Sequence, residues 1–265
     1  MSAATHLSSL SLLRRWVVDY FNRHDEAAAR EFVSADYTLD IGDVSLRGRD
    51  ESWLPAVAAQ MKLFPGLGMT VHQTLAGEDW AAAWFSEHGA SKGRVACWSG
   101  VAIYFSDGKR LTRCVAQEDY MTRRRQLKTG LADRVEPPAA APWDEVISAR
   151  DSGAEDVVRD WLRGSWPSNL ADVRCDDDHI TLMPLQFDVV ETTVDTVRSS
   201  GPHVAFHALQ VGVYRGGLAG VERADAKIKL HVNGLVRVVD GRVKSGRVIR
   251  DRAGLHAALS RSAQR

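Results

Sequence analysis

The segment Val135-Glu136-Pro137-Pro138-Ala139-Ala140-Ala141-Pro142 restricts the folding of this chain more than any other. Each proline removes a backbone donor and disfavours helix at the residue before it, so no regular element crosses the segment. It reads as a semi-stiff connector. Its position near the middle of 265 residues leaves two pieces of nearly equal length, each the size of a small domain. The expected division is a first domain over residues 1–130, a Pro/Ala-rich linker over 131–144 and a second, divergent domain over 145–265.

Both pieces open alike. Leu12, Leu13, Trp16, Val17, Tyr20 and Phe21 recur at helical spacing in the first, and Val157, Val158, Trp161 and Leu162 do so in the second. A strand-like run follows each helix, Tyr37–Ile41 and His179–Met183, and then a second helical stretch, Ser52–Leu63 and Val189–Arg198. The rest of each piece reads as long antiparallel strands: Trp80–His88, Val95–Phe105 and Leu111–Tyr120, then Val204–Tyr214, Lys227–Val239 and Val243–Arg250. In both pieces the last two strands are joined at an Asp-Gly pair, Asp107-Gly108 and Asp240-Gly241, a hairpin signal that places both central residues at positive φ. An aspartate follows each turn at similar distance, Asp119 and Asp251, which marks an internal repeat.

Composition narrows the function classes. Lys plus Arg and Asp plus Glu number 34 each, so the basic footprint of a nucleic-acid binder is missing. The one basic cluster, Arg123-Arg124-Arg125, reads as a solvated segment after a strand. No apolar run is long enough to span a bilayer and the start lacks a signal-peptide pattern, so a cytoplasmic protein is expected. Cys97, Cys114 and Cys175 are isolated, without Cys-x-x-Cys or Cys/His spacing, so neither a metal site nor a disulfide framework is indicated.

Four stretches of the first piece, in order, carry a resemblance: Phe64-Pro65-Gly66-Leu67, His88-Gly89-Ala90-Ser91-Lys92-Gly93, Phe105-Ser106-Asp107-Gly108-Lys109, and Gln117-Glu118-Asp119-Tyr120 with Gln126-Leu127 after it. Over about residues 10–128 the chain resembles a SnoaL-like polyketide-cyclase domain of the NTF2-like superfamily, with distant kinship to ketosteroid isomerase and limonene epoxide hydrolase. The second piece matches at Asp240-Gly241-Arg242, Arg250-Asp251-Arg252 and Leu255 only. The resemblance implies an α+β fold of two tandem cone domains, each a curved antiparallel sheet packed on helices around a pocket, working without a cofactor. Members of this scaffold cyclise, isomerise, dehydrate or open epoxides, and many do not catalyse, so the residues have to decide.

Arg113, Val115, Gln117 and Asp119 share one strand face. The resemblance implies that Asp119 is the acid/base aspartate; the alternative is a strand end paired with Arg113 or Arg123. Asp251 is its counterpart, flanked by Arg250 and Arg252. Asp40 falls where isomerase relatives place a carboxylate, but their tyrosine and second acid are replaced by Val17 and Ser99-Gly100. Trp84 and Trp98 line a pocket for a flat apolar substrate or fill the core. His207, with His203, and His231 and Asn233, with Lys227 and Lys229, form polar faces on neighbouring strands, either a proton relay or a solvated surface. Gln117, Asn233 or a histidine would stabilise an oxyanion, and Arg113 would steady a carboxylate.

The expected function is cofactor-independent acid/base catalysis (cyclase, isomerase or dehydratase) on a small hydrophobic polyketide- or terpenoid-like molecule. Epoxide hydrolysis or epoxide-opening cyclisation, and a non-catalytic ligand-binding or dimerisation module, are the rivals. No nucleic acid and no membrane are expected as partners. The two halves are expected to pair sheet to sheet as an intrachain pseudo-dimer, with a further homodimer left open.

Overall fold

The computed structural model describes residues 7–144, 147–164, 172–177, 185–221 and 227–262. The run His179–Met183, expected as a strand, lies outside them. Helix α1 (Ser9–Arg15) continues as a π-helical stretch, Trp16–Phe21, and α2 (Glu26–Phe32) follows. Strands β1 (Val33–Ile41) and β2 (Val44–Arg47) then lead through a second π-helical stretch, Arg49–Trp53, into α3 (Leu54–Leu63). The first half ends with β3 (Gly68–Ala76), β4 (Trp80–Ser91), β5 (Arg94–Ser106), β6 (Leu111–Glu118) and α4 (Tyr120–Thr129). The second half holds α5 (Ser152–Gly164), β7 (Asp172–Cys175), β8 (Gln186–Ser200), β9 (His203–Gly216), β10 (Lys227–Val239), β11 (Arg242–Arg250) and α6 (Arg252–Ser262).

The repeat is visible in the strand order. The first sheet runs β2-β1-β6-β5-β4-β3 and the second β7-β11-β10-β9-β8. Without β2 the two orders are the same, with β7, β8, β9, β10 and β11 standing for β1, β3, β4, β5 and β6. Each sheet is α+β and mixed, antiparallel throughout except where its first strand lies parallel to its last, β1 on β6 and β7 on β11. The cap after the last strand also repeats. Asp119 N–H donates to the Ser99 carbonyl and Asp251 N–H to the His231 carbonyl, each at 2.9 Å. These bonds set Ser99 against His231 and therefore Glu118 against Arg250 and, through the cross-strand pairs, Glu87 against Gln210.

Several expectations need correction. Val189–Arg198 is not helical but part of β8, where valines and threonines dominate and paired hydrogen bonds to β9 satisfy the backbone. Tyr120 starts α4 instead of ending β6, because the Asp119 side chain accepts from Thr122 N–H and caps the helix. The arginine cluster therefore sits on α4, with Arg123 4.1 Å above the Tyr120 ring. At the second Asp-Gly turn both residues have positive φ, +50° and +68°, whereas in the first only Gly108 does. There Asp107 accepts from the Lys109 and Arg110 N–H groups instead.

Three apolar clusters hold the molecule together. One fills the first cone, between its sheet and α1, α2, α3 and the π-helical stretches; a second fills the other cone around Trp161, Phe206 and Tyr214. The third joins the halves, with Leu75, Trp80, Ala82, Val101 and Ile103 against Ala205, Leu235 and Ile249. Each sheet is thus covered on both faces, one by its helices and one by the other sheet. Glycine permits the tightest contact in the first cone. Gly100 lies directly across from Phe85, and a Cβ there would meet Phe85 Cζ at 2.4 Å and Glu118 Cγ at 3.1 Å. Gly100→Ala is expected to cost about 1–3 kcal/mol by overpacking, read as a lower denaturant midpoint. An unchanged midpoint would show that Phe85 swings away freely.

Candidate functional site

Alternation along β4, β5 and β6 sorts the chemistry. Phe85 and Glu87, Ala102 and Tyr104, and Cys114, Ala116 and Glu118 face the helices of the first half. There they line a cavity of about 120 Å³, closed by Trp16, Phe21, Trp53 and Val57. Almost all of its wall is apolar or aromatic, and its volume lies well below the several hundred Å³ of a drug-sized site. Glu87 and Glu118 are the carboxyl groups in it.

Their environments differ. Burial lifts Glu87 well above the usual carboxylate range, and repulsion from Glu118 adds to that. The Arg123 charge opposes the shift, and so, less, does the Gln60 amide, which donates to Glu87 Oε2 at 2.8 Å. Burial also raises Glu118, but more donors restrain it. Trp98 Nε1–H donates to Glu118 Oε2 at 2.8 Å, and the Tyr120 hydroxyl and the Arg123 charge act in the same sense. Arg123 lies 5.0 Å from the Trp98 ring, held over the aromatic groups that surround the acids. Burial keeps the Tyr37, Tyr104 and Tyr120 phenols protonated, so they remain donors. The pair divides into Glu87, the group that holds its proton, and Glu118, the one that gives it up first.

The ten residues singled out from the sequence lie elsewhere, apart from Trp98, which is fully buried and serves as the donor to Glu118. Asp119 is 1% exposed and points away from the cavity, into the seam between the halves. It pairs with Arg252, and its oxygens also accept from Asp177 N–H at 2.8 Å and from the Thr122 hydroxyl and N–H at 3.1 Å. Around it Asp176 pairs with Arg250 at 2.5 Å, and Asp177 pairs with Arg247 while accepting from Ser99 N–H at 2.9 Å. Asp251 caps α6 by accepting from Gly254 N–H. Asn233 donates from Nδ2 to the carbonyls of Val101 and Val115, stitching β10 to the first sheet. Trp84 lies in the same seam under the Arg174 and Arg247 guanidinium groups.

Five of the ten do come together. Asp40, Arg113, Gln117, His207 and His231 line a polar groove of about 210 Å³ between the halves, with Asp43 and Asp195. Arg113 donates to Asp40 at 3.1 Å, and Asp40 also accepts from the Ser45 hydroxyl. Glu87, Glu118 and Gln60 went unmarked in the sequence. A lone glutamate inside the apolar strand Trp80–His88 is the one signal that pointed to them.

The second cone keeps the architecture but not the acids. Gln210 and Arg250 stand where Glu87 and Glu118 do, and Arg250 is tied to Asp176. No group of histidines, cysteines and carboxylates among the described residues is arranged to hold a metal ion, and none of their helices is long and apolar enough to cross a membrane.

With this geometry in hand, comparison with known proteins places the first half. Residues 13–114 match the SnoaL-like domain family. The match ends inside β6 and does not reach the second half. No curated protein matches the chain. Solved structures similar to part of it include IdmH, a proposed polyketide cyclase from Streptomyces antibioticus, at 18% identity over 44% of this chain and 96% of that one, TM-score 0.39. Another is a proposed polyketide cyclase from Acidithiobacillus ferrooxidans, at 19% identity over 49% and 100%, TM-score 0.42. A third is AclR, a proposed hydroxylase from Streptomyces galilaeus, at 16% identity over 45% and 94%, TM-score 0.41. Likeness at this level assigns no role to any residue here.

Proposed function

We propose that the first half is a cofactor-independent acid/base catalyst whose working groups are Glu118 and Glu87, acting on a compact apolar carbonyl compound of polyketide-like or terpenoid-like type. The observation that carries this reading is the buried Glu87 and the partly buried Glu118 in one aromatic cavity, both raised by burial and Glu87 further by repulsion from Glu118. Glu118, the easier to ionise, takes a proton from carbon next to the carbonyl. Glu87, still protonated, donates to the carbonyl oxygen as negative charge develops there, and an enol results. Return of a proton at another carbon is isomerisation; attack of the enol on a second carbonyl in the molecule is aldol cyclisation. The apolar wall excludes water, which strengthens both interactions.

The test is turnover of a panel of small polyketide-like diketones and enones by the full chain and by Glu118→Gln. Exchange of the α-proton with deuterated solvent gives a readout when no product is known. Loss of exchange in Glu118→Gln supports the reading, and retained exchange overturns it. Turnover of epoxides and not of carbonyl compounds would move the same acid pair to epoxide opening. Tight binding without exchange or turnover would make the domain a ligand carrier.

A further inference from the structure

The groove between the halves contains a chain of four side chains that the proposed catalysis does not use. His207 Nδ1 meets Asp195 Oδ1 at 2.5 Å, His207 Nε2 meets His231 Nδ1 at 3.2 Å, and His231 Nε2 meets Asp43 Oδ1 at 3.1 Å. Asp195, His207 and His231 belong to the second half and Asp43 to the turn between β1 and β2, so the chain crosses the seam. Both end groups are carboxylates open to solvent, with 43% and 74% of their side chains exposed. Burial would lift Asp195, but His207 and Arg113 hold it below the ordinary range.

Protons can be counted along this chain. An ionised carboxylate only accepts, so each outer nitrogen, His207 Nδ1 and His231 Nε2, must carry a hydrogen. If the rings held only those two hydrogens, two bare lone pairs would face each other at 3.2 Å. If they held four, two N–H groups would collide there. Only three hydrogens complete all three links, which gives the two rings a single positive charge.

The central link also selects what fills it. The 5.5 Å between ring centres is the 3.2 Å N···N contact plus about one ring radius on each side, so both nitrogens lie on the line between the centres. The rings are within 18° of parallel. A straight N–H···N bond fits this arrangement. A tetrahedral metal ion bound at about 2.0–2.1 Å needs two lone pairs that converge off that line.

We infer that His207 and His231 form a binding site for one shared proton, which fastens the second half to Asp43 of the first. Asp40 and Arg113 also face the site from the first half, Asp251 lies close to His231, and Lys229 shares its strand face.

The experiment is nitrogen-15 NMR of the histidine-labelled full chain near neutral pH. The expected spectrum shows three protonated ring nitrogens on His207 and His231 together. Two or four protonated nitrogens would overturn the inference. So would zinc at one equivalent replacing the shared proton. None of these readouts depends on Glu87 or Glu118.

Discussion

Asp119→Asn is expected to destabilise the whole chain by about 3–5 kcal/mol, the usual cost of removing one partner from a buried ion pair. The carboxylate is buried, and every hydrogen bond to its oxygens comes from a donor: Arg252, Asp177 N–H, and the Thr122 hydroxyl and N–H. Burial and the neighbouring Asp176 and Asp177 push Asp119 upward, against the pull of Arg252. That all its contacts are donors fits the ionised form. Asparagine would turn an NH2 group toward one of these donors and take the paired carboxylate charge away from Arg252. Urea unfolding of the full chain checks the magnitude. A catalytic aspartate gives the opposite pattern, lost turnover on an intact fold, so Asp119→Asn with unchanged stability and no turnover would overturn the placement described here.

The second large effect is on rate. Glu118→Gln is expected to lower turnover by about 10²–10⁴, the range for general acid–base groups. Glutamine keeps the volume and still accepts from Trp98 Nε1–H, so the fold should hold and even gain, since a buried charge is removed. The rate against pH should form a bell. The rising limb reports ionisation of Glu118 and the falling limb loss of the proton on Glu87; burial raises both, so the bell lies above the ordinary carboxylate range of about 4.3. The two limbs belong to the pair and not to either residue alone. A single rising limb near the ordinary carboxylate range would mean that only one solvated acid is at work.

Much of the architecture was legible, because the chain punctuates it: the proline-rich segment, the two amphipathic helices and the Asp-Gly turns all fell where the elements divide. The face of each strand was not. A strand with one wet face shows its inside by alternation, but β6 is covered by helices on one side and by the second sheet on the other. Its residues 114–117 are all buried, so sequence gives no sign of which parity faces the cavity. Glu118 and Asp119 are neighbours, and a shift of one residue moves the chemistry from cavity to seam. The same ambiguity left Trp84 between a substrate pocket and the core. In β8 the error was of period, since Val189, Val190, Val194 and Val197 suit a helical stripe as well as a strand. The polar faces of β9 and β10 were readable as such, and His207 and His231 of them meet in one groove, but only the pairing of the two sheets put Asp43 and Asp195 at its ends.

One consequence follows from two matching folds on a single peptide. In a dimer of identical chains every substitution enters twice, so a residue suited to one side must be tolerable on the other. Here Glu118 and Arg250 hold matching places with opposite charge, one facing the cavity and the other tied to Asp176. Neither would serve in both places, since a second glutamate would leave Asp176 facing another acid and a second arginine would quench Glu87. Joining the halves lets the copies diverge at matching places. It also makes their association independent of dilution, because the partner is always present at the effective concentration set by a short connector.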